Sequence, residues 1–243
     1  MSDCCKSGYK WDASPSGKET KLGSNNAYVT GSNPDAAIMI VHDVFGWTLP
    51  NVRVLADHYA KEANATVYIP DFFGGEVVDP DAMSDPEKKA KFDLMAFLGR
   101  NSKEKRFPEI KSCAQALKGQ YKKVGAIGFC WGGWAVFQLG AKGNNLVDAI
   151  STAHPSLLKP EEVDALAVPC QILSPENDFM YTQELKDYTN SKIPQLGVDY
   201  DYQYFTGLSH GFAVRGDPSD PAQKMGVERA KNVVCSWFTE YLH

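Results

Sequence analysis

The sequence predicts an α/β fold: a mostly parallel sheet with helices on both faces. Two observations carry this reading. Continuous apolar runs recur along the chain, as expected of strands covered on both sides. Stretches with helical spacing of apolar residues separate them, and that alternation is the pattern of a parallel sheet wrapped by crossover helices. The chain has 243 residues, 43% of them hydrophobic, which suits one large domain spanning 1–243 rather than two independent cores.

In chain order, residues 1–24 are polar and rich in Gly and Ser and read as loop and turn. "AYVT" (27–30) is a short strand. The apolar runs are "DAAIMIVHD" (35–43), "NATVYIPD" (64–71), "YKKVGAIGFC" (121–130), "VDAISTAH" (147–154) and "VPCQILSPE" (168–176). "VDYDYQYFTG" (198–207) alternates and ends the series. Helices are expected over 49–63, 84–98, 106–118, 131–142, 182–190 and 219–242. Ser84 and Glu87 stand at capping-box spacing, and a Pro sits just inside the start of the last helix.

Composition excludes several functions. Charged residues make up 23% and the net charge is -5, so no polyanion-binding surface is expected and nucleic acid is set aside. No apolar run approaches the ~20 residues needed to span a bilayer, and "MSDCCKSGYKWD" has no signal-peptide pattern. A cytoplasmic protein with no membrane partner is expected, a monomer or at most a dimer. There the six cysteines are thiols rather than a disulfide framework. Cys4 and Cys5 have no partner pair at zinc-finger spacing, so no metal is expected.

In a sheet of this kind chemistry sits beyond the carboxyl ends of the strands. Cys130 ends one run in "GFCWGG", where Gly128, Cys130 and Gly132 give G-x-C-x-G. The serine version of this pattern places a nucleophile on a tight strand-to-helix turn, with backbone N–H groups of the following helix available to an oxyanion. The other reading is a small buried thiol in a Gly-rich turn. Asp178, in "SPENDFM", follows the next-to-last run; alone it reads as well as a turn former or cap. His210, in "LSHGF", lies in a loop after the last strand and suits a general base. His154, also at a strand end, is its competitor. Cys130, Asp178 and His210 run in the order nucleophile, acid, base, which is the order of the α/β-hydrolase fold. In that fold the loop after the third strand supplies a second oxyanion donor, which makes Val44 the candidate partner of Trp131. Asp43 would then lie close to the thiol; the other reading is a turn cap. Phe45, Trp47, Phe72, Phe73 and Phe179, all near strand ends, either shape an apolar pocket or belong to the core.

Five blocks, "VHDVFG", "YIPDFFGG", "GFCWGG", "SPENDFM" and "LSHGFAVRG", resemble the dienelactone hydrolase family, and "CCKSG" with "PSGK" resembles its eukaryotic, especially fungal, branch. The resemblance implies a cofactor-free hydrolase of small lactones or esters with Cys130 as nucleophile, His210 as base and Asp178 orienting the imidazole. It implies Asp43 at the position where bacterial members carry a Glu controlling the thiol. It also implies Arg215 as a candidate clamp for a substrate carboxylate. Rival readings are a carboxylesterase or thioesterase with no dienelactone preference, a cysteine enzyme of another α/β fold, a non-catalytic small-molecule binder, and a redox role for Cys130. Cysteine enzymes of other α/β folds often follow the Cys with His, and Trp131 stands there instead.

Overall fold

The computed structural model describes residues 11–12, 14–78, 87 and 92–243. Eight strands form one sheet: β1 (Lys18–Leu22), β2 (Asn25–Thr30), β3 (Ala36–Val41), β4 (Thr66–Pro70), β5 (Lys123–Phe129), β6 (Ala149–Ala153), β7 (Cys170–Asn177) and β8 (Tyr200–Ser209). Their spatial order is β1-β2-β4-β3-β5-β6-β7-β8. β1 and β2 pair antiparallel, β2 runs antiparallel to β4, and the rest of the sheet is parallel. The apolar runs are the parallel strands, and β3 is buried at every position. β1 corrects the expectation of loop throughout residues 1–24. "KETKL" is mostly solvated edge strand, so no apolar alternation marks it.

The helices are α1 (Pro50–Glu62), α2 (Leu94–Arg100), α3 (Lys103–Lys118), α4 (Gly133–Leu139), α5 (Pro160–Asp164), α6 (Gln183–Lys192), α7 (Phe212–Arg215) and α8 (Pro221–Leu242). Asp220 caps α8 by accepting from the Ala222 and Gln223 N–H groups, and Pro221 opens it. One face of α8 buries Ala230, Val234, Trp237, Phe238 and Leu242, and Trp237 Nε1 donates to the Ile150 carbonyl of β6. Within the expected helix over 84–98, Glu87 is helical, residues 92–93 are not, and helix resumes from Leu94. The capping box at Ser84 lies outside the described residues, as do Cys4 and Cys5.

The chain leaves β3 toward β4 on one side, then crosses back to β5 on the other. This reversal is a topological switch, and the crevice beyond the carboxyl ends of β3 and β5 is the natural place for a ligand. Asp43 and Val44 follow β3; Cys130 follows β5.

Among the described residues no helix is long and apolar enough to cross a membrane.

Candidate active site

β5 delivers the chain to Cys130, which adopts φ +49°, the left-handed region that a Cβ-bearing residue enters only under constraint. A 3-10 turn, Cys130–Gly132, leads into α4. The flanking glycines are required by close approach. A Cβ on Gly128 would strike the Gly132 carbonyl, and one on Gly132 would strike the Val41 carbonyl at the end of β3. The elbow is therefore clamped against the neighbouring strand, with Cys130 only 2% exposed beneath a cleft.

Asp178 and His210 arrive on adjacent strands. β7 and β8 pair in register through Pro175↔Phe205, slip at an irregularity, and resume at Asn177↔Ser209. The His210 N–H then donates to the Asn177 carbonyl over 3.1 Å. This brings His210 Nδ1 to 2.9 Å from both Asp178 oxygens. Asp178 Oδ1 also accepts from the N–H groups of Met180 (2.8 Å) and Tyr181 (3.0 Å), which hold the carboxylate in place. With Nδ1–H committed to Asp178, Nε2 faces the nucleophile. His210 is hydrogen bonded to Cys130. Burial disfavours the imidazolium, but the charge on Cys130 and the bond to Asp178 overcome this and raise the His210 pKa to about 10. The structure brings Cys130, His210 and Asp178 together.

His154 is no alternative base. Its ring packs 5.0 Å from that of His210, it is fully buried, and burial drives its pKa well below the usual histidine value. Two residues on, Ser156 was not foreseen. Its Oγ lies 3.4 Å from Cys130 Sγ and 3.4 Å from His210 Nε2. Its N–H donates to the Cys130 carbonyl over 2.8 Å, tying the loop after β6 to the elbow. Left-handed backbone at His154 and Leu157 turns this loop inward. Ser156 lies beyond the carboxyl end of β6, two residues past His154, where the sequence carries no motif that marks it.

Asp43 follows β3. Its Oδ1 accepts from the Phe45 N–H (3.0 Å), and its Oδ2 lies 2.9 Å from Arg215 Nε. The bond to Phe45 is that of a turn cap. Burial raises its pKa to about 6, with Arg215 opposing and Cys130 adding to the rise. His42, one residue earlier, donates from Nδ1 to the Asp43 carbonyl while Nε2 accepts from the Phe72 N–H; burial lowers its pKa to about 4, so it props the loop as a neutral ring.

Val44 and Trp131 both line the cleft beside Cys130. Arg215 is not among the described residues that line the cleft beside Cys130. Its guanidinium is buried, paired with Asp43 and stacked 4.8 Å over the Phe45 ring. Phe45 is accordingly core. So is Trp47, which packs under Arg53 at 4.8 Å. Phe72 and Phe73 are core as well, whereas Phe179 is partly exposed with its ring 5.9 Å from that of His210. The aromatic residues near the strand ends are legible in the sequence, but which way they turn is set by the fold. The other described cysteines, Cys113, Cys170 and Cys235, are free and buried, and burial pushes their thiols upward, Cys113 and Cys235 to about 12.

The profile of the dienelactone hydrolase family matches residues 26–242. The chain belongs to the dienelactone hydrolase family. That membership makes it a carboxylic ester hydrolase by class. It is 31% identical to the carboxymethylenebutenolidase homolog of Homo sapiens over 254 residues, covering 98% of this chain and 96% of that protein. It is 27% identical to hydrolase pyvD of Aspergillus violaceofuscus, covering 99% of this chain and 97% of that one. Among solved structures, the dienelactone hydrolase of Anabaena variabilis superposes with a TM-score of 0.67 at 15% identity, covering 94% of this chain and 98% of that one. Carboxyl esterase 2 of the fungus Tuber melanosporum matches with a TM-score of 0.67 at 14% identity, covering 98% and 91%. At such identities the solved structures speak for the fold, which is that of the α/β hydrolases.

Proposed function

We propose that this family member is a cofactor-free hydrolase of small lactones and esters, working through a thioester on Cys130. The observation that carries the reading is the continuous chain from Cys130 to His210 to both oxygens of Asp178, centred on a constrained elbow. His210 Nε2 takes the thiol proton and the sulfur attacks the carbonyl carbon. The resulting oxyanion sits against the backbone N–H groups of Val44 and Trp131, each such donor being worth ~3 kcal/mol in the transition state. When the C–O bond breaks, His210 returns the proton to the leaving alkoxide. The imidazole then takes a proton from water, hydroxide attacks the thioester, and the thiolate leaves as the acid is released. Ser156 lies where it can donate to the thiolate while His210 shuttles the proton. Arg215 offsets the negative charge that Asp43 would otherwise present to the thiolate.

Turnover of p-nitrophenyl acetate by the wild type and by Cys130→Ala tests this reading. The variant is expected to lose about 10³-fold or more in kcat/KM. Equal rates would remove Cys130 as nucleophile.

A further inference from the structure

We propose, resting on the hydrolase reading above, that Ser156 is a further catalytic residue of the second half-reaction: its hydroxyl orients the water that releases the acyl group from Cys130. Ser156 Oγ is 3.4 Å from Cys130 Sγ and 3.4 Å from His210 Nε2. The residue is buried, and it lines the cleft beside Cys130. Its oxygen thus neighbours both the sulfur that carries the acyl group and the nitrogen that takes a proton from water.

The loop that carries the hydroxyl is fixed to the elbow. The Ser156 N–H donates to the Cys130 carbonyl over 2.8 Å. Pro155 packs against Gly133, where a Cβ would strike it. His154 and Leu157 adopt φ +42° and +61°, left-handed backbone that side-chain-bearing residues hold only when their surroundings impose it. Ser156 Oγ is therefore in place before an acyl group arrives, and such preorganisation is what orienting a reactant requires.

Hydrogen-bonding capacity sets the role. His210 Nδ1–H is committed to Asp178, so the neutral ring offers Nε2 as an acceptor. The serine hydroxyl brings two lone pairs and one hydrogen. A water seated between Nε2 and Oγ gives one hydrogen to each, and its own lone pair then faces the carbonyl attached to Sγ. His210 takes the first hydrogen as a proton while the water oxygen bonds to the carbonyl carbon. The C–S bond breaks with its electron pair going to sulfur, the acid departs, and His210 returns the proton to the thiolate. The Ser156 O–H is free to point at Sγ, where negative charge grows as that bond breaks. Acylation runs the other way. It uses no water, and charge leaves the sulfur as it attacks, so a hydrogen bond to the thiolate stabilises the reactant more than the transition state.

Two quantities, measured together at saturating p-nitrophenyl acetate, separate the half-reactions: the turnover rate, and the acetylated fraction of acid-quenched enzyme read by mass. Turnover divided by the acetylated fraction gives the deacylation rate; turnover divided by the unacetylated fraction gives the acylation rate. Ser156→Ala is expected to slow deacylation by about tenfold or more and acylation by less than about threefold, so that acetylated Cys130 accumulates. Ser156→Thr, which keeps the hydroxyl, should deacylate about fivefold or more faster than Ser156→Ala. Deacylation slowed no more than acylation overturns the proposal, because a merely displaced elbow slows both. A Thr variant no faster than the Ala variant overturns it as well. The two levels fail separately. Turnover without any acetyl group on Cys130 in the wild type removes the hydrolase mechanism itself. Acetylated Cys130 that Ser156→Ala releases at the wild-type rate removes only the role of Ser156.

Discussion

His210 gives its Nδ1–H to Asp178 and turns Nε2 toward Cys130, so its protonation state reports directly on the thiol. Its pKa is raised to about 10 against burial, and the charge on Cys130 is the foremost cause of the rise. A histidine with a folded pKa above its unfolded value of ~6.5 stabilises the fold fully below that value and loses the contribution as pH rises through the folded pKa. The His210 contribution to wild-type stability should therefore decline between pH 7 and 10, and His210→Gln should remove that contribution from the pH profile. An NMR titration of the ring should place its midpoint near 10 in the wild type and more than one unit lower in Cys130→Ala. An unmoved midpoint would mean that the thiol is not the partner. At this scale the sequence was informative where a residue has a motif or a strict order, as Cys130, Asp178 and His210 do. Ser156 has neither, since serine is common at strand ends and nothing in its neighbours announces a contact. Arg215 was legible as a residue near the site, but its pairing with Asp43 depends on a turn that only the fold supplies.

The elbow is the element on which the site depends. Its glycines sit where backbone meets backbone: Gly132 against the Val41 carbonyl, Gly128 against Gly132 itself. Because β3 also supplies Asp43 and Val44, this contact fixes both halves of the site to each other. Gly132→Ala must push β3 and the elbow apart, and overpacking of this kind costs ~1–3 kcal/mol. The expected result is a lower urea midpoint together with a fall in kcat that exceeds any change in KM; retention of both would contradict the clamp. The parallel strands were readable because burial on both faces demands unbroken apolar runs. β1 was not, because an edge strand facing solvent can be written in Lys, Glu and Thr. α5 and α7 were missed for another reason: helices of 5 and 4 residues are too short to display a 3.6-residue period.

Across the whole molecule, the beginning of the described chain is tied to the loop that carries the base. The Trp11 N–H donates to Asn51 Oδ1 (2.8 Å) and its Nε1 donates to the Gly216 carbonyl (2.9 Å). Asn51 Nδ2, fully buried, donates to the Val214 carbonyl (2.8 Å). These bonds hold the C-terminal end of α7, the single turn that follows His210 and ends at Arg215. Trp11 thus ties the start of the described chain to α1 and to the residue after α7. Asn51→Ala leaves the Val214 carbonyl without this buried donor, and unpaired groups of this kind cost ~1–3 kcal/mol. Chemical denaturation should show that loss, and a variant as stable as wild type would mean the bond is incidental. The central claim is that the acyl group passes through Cys130. Acid quenching during turnover of p-nitrophenyl acetate, followed by peptide mapping by mass, tests it most directly. The account predicts an acetyl group on the peptide bearing Cys130, absent in Cys130→Ala. An acetyl group on Ser156 with Cys130 bare would contradict it.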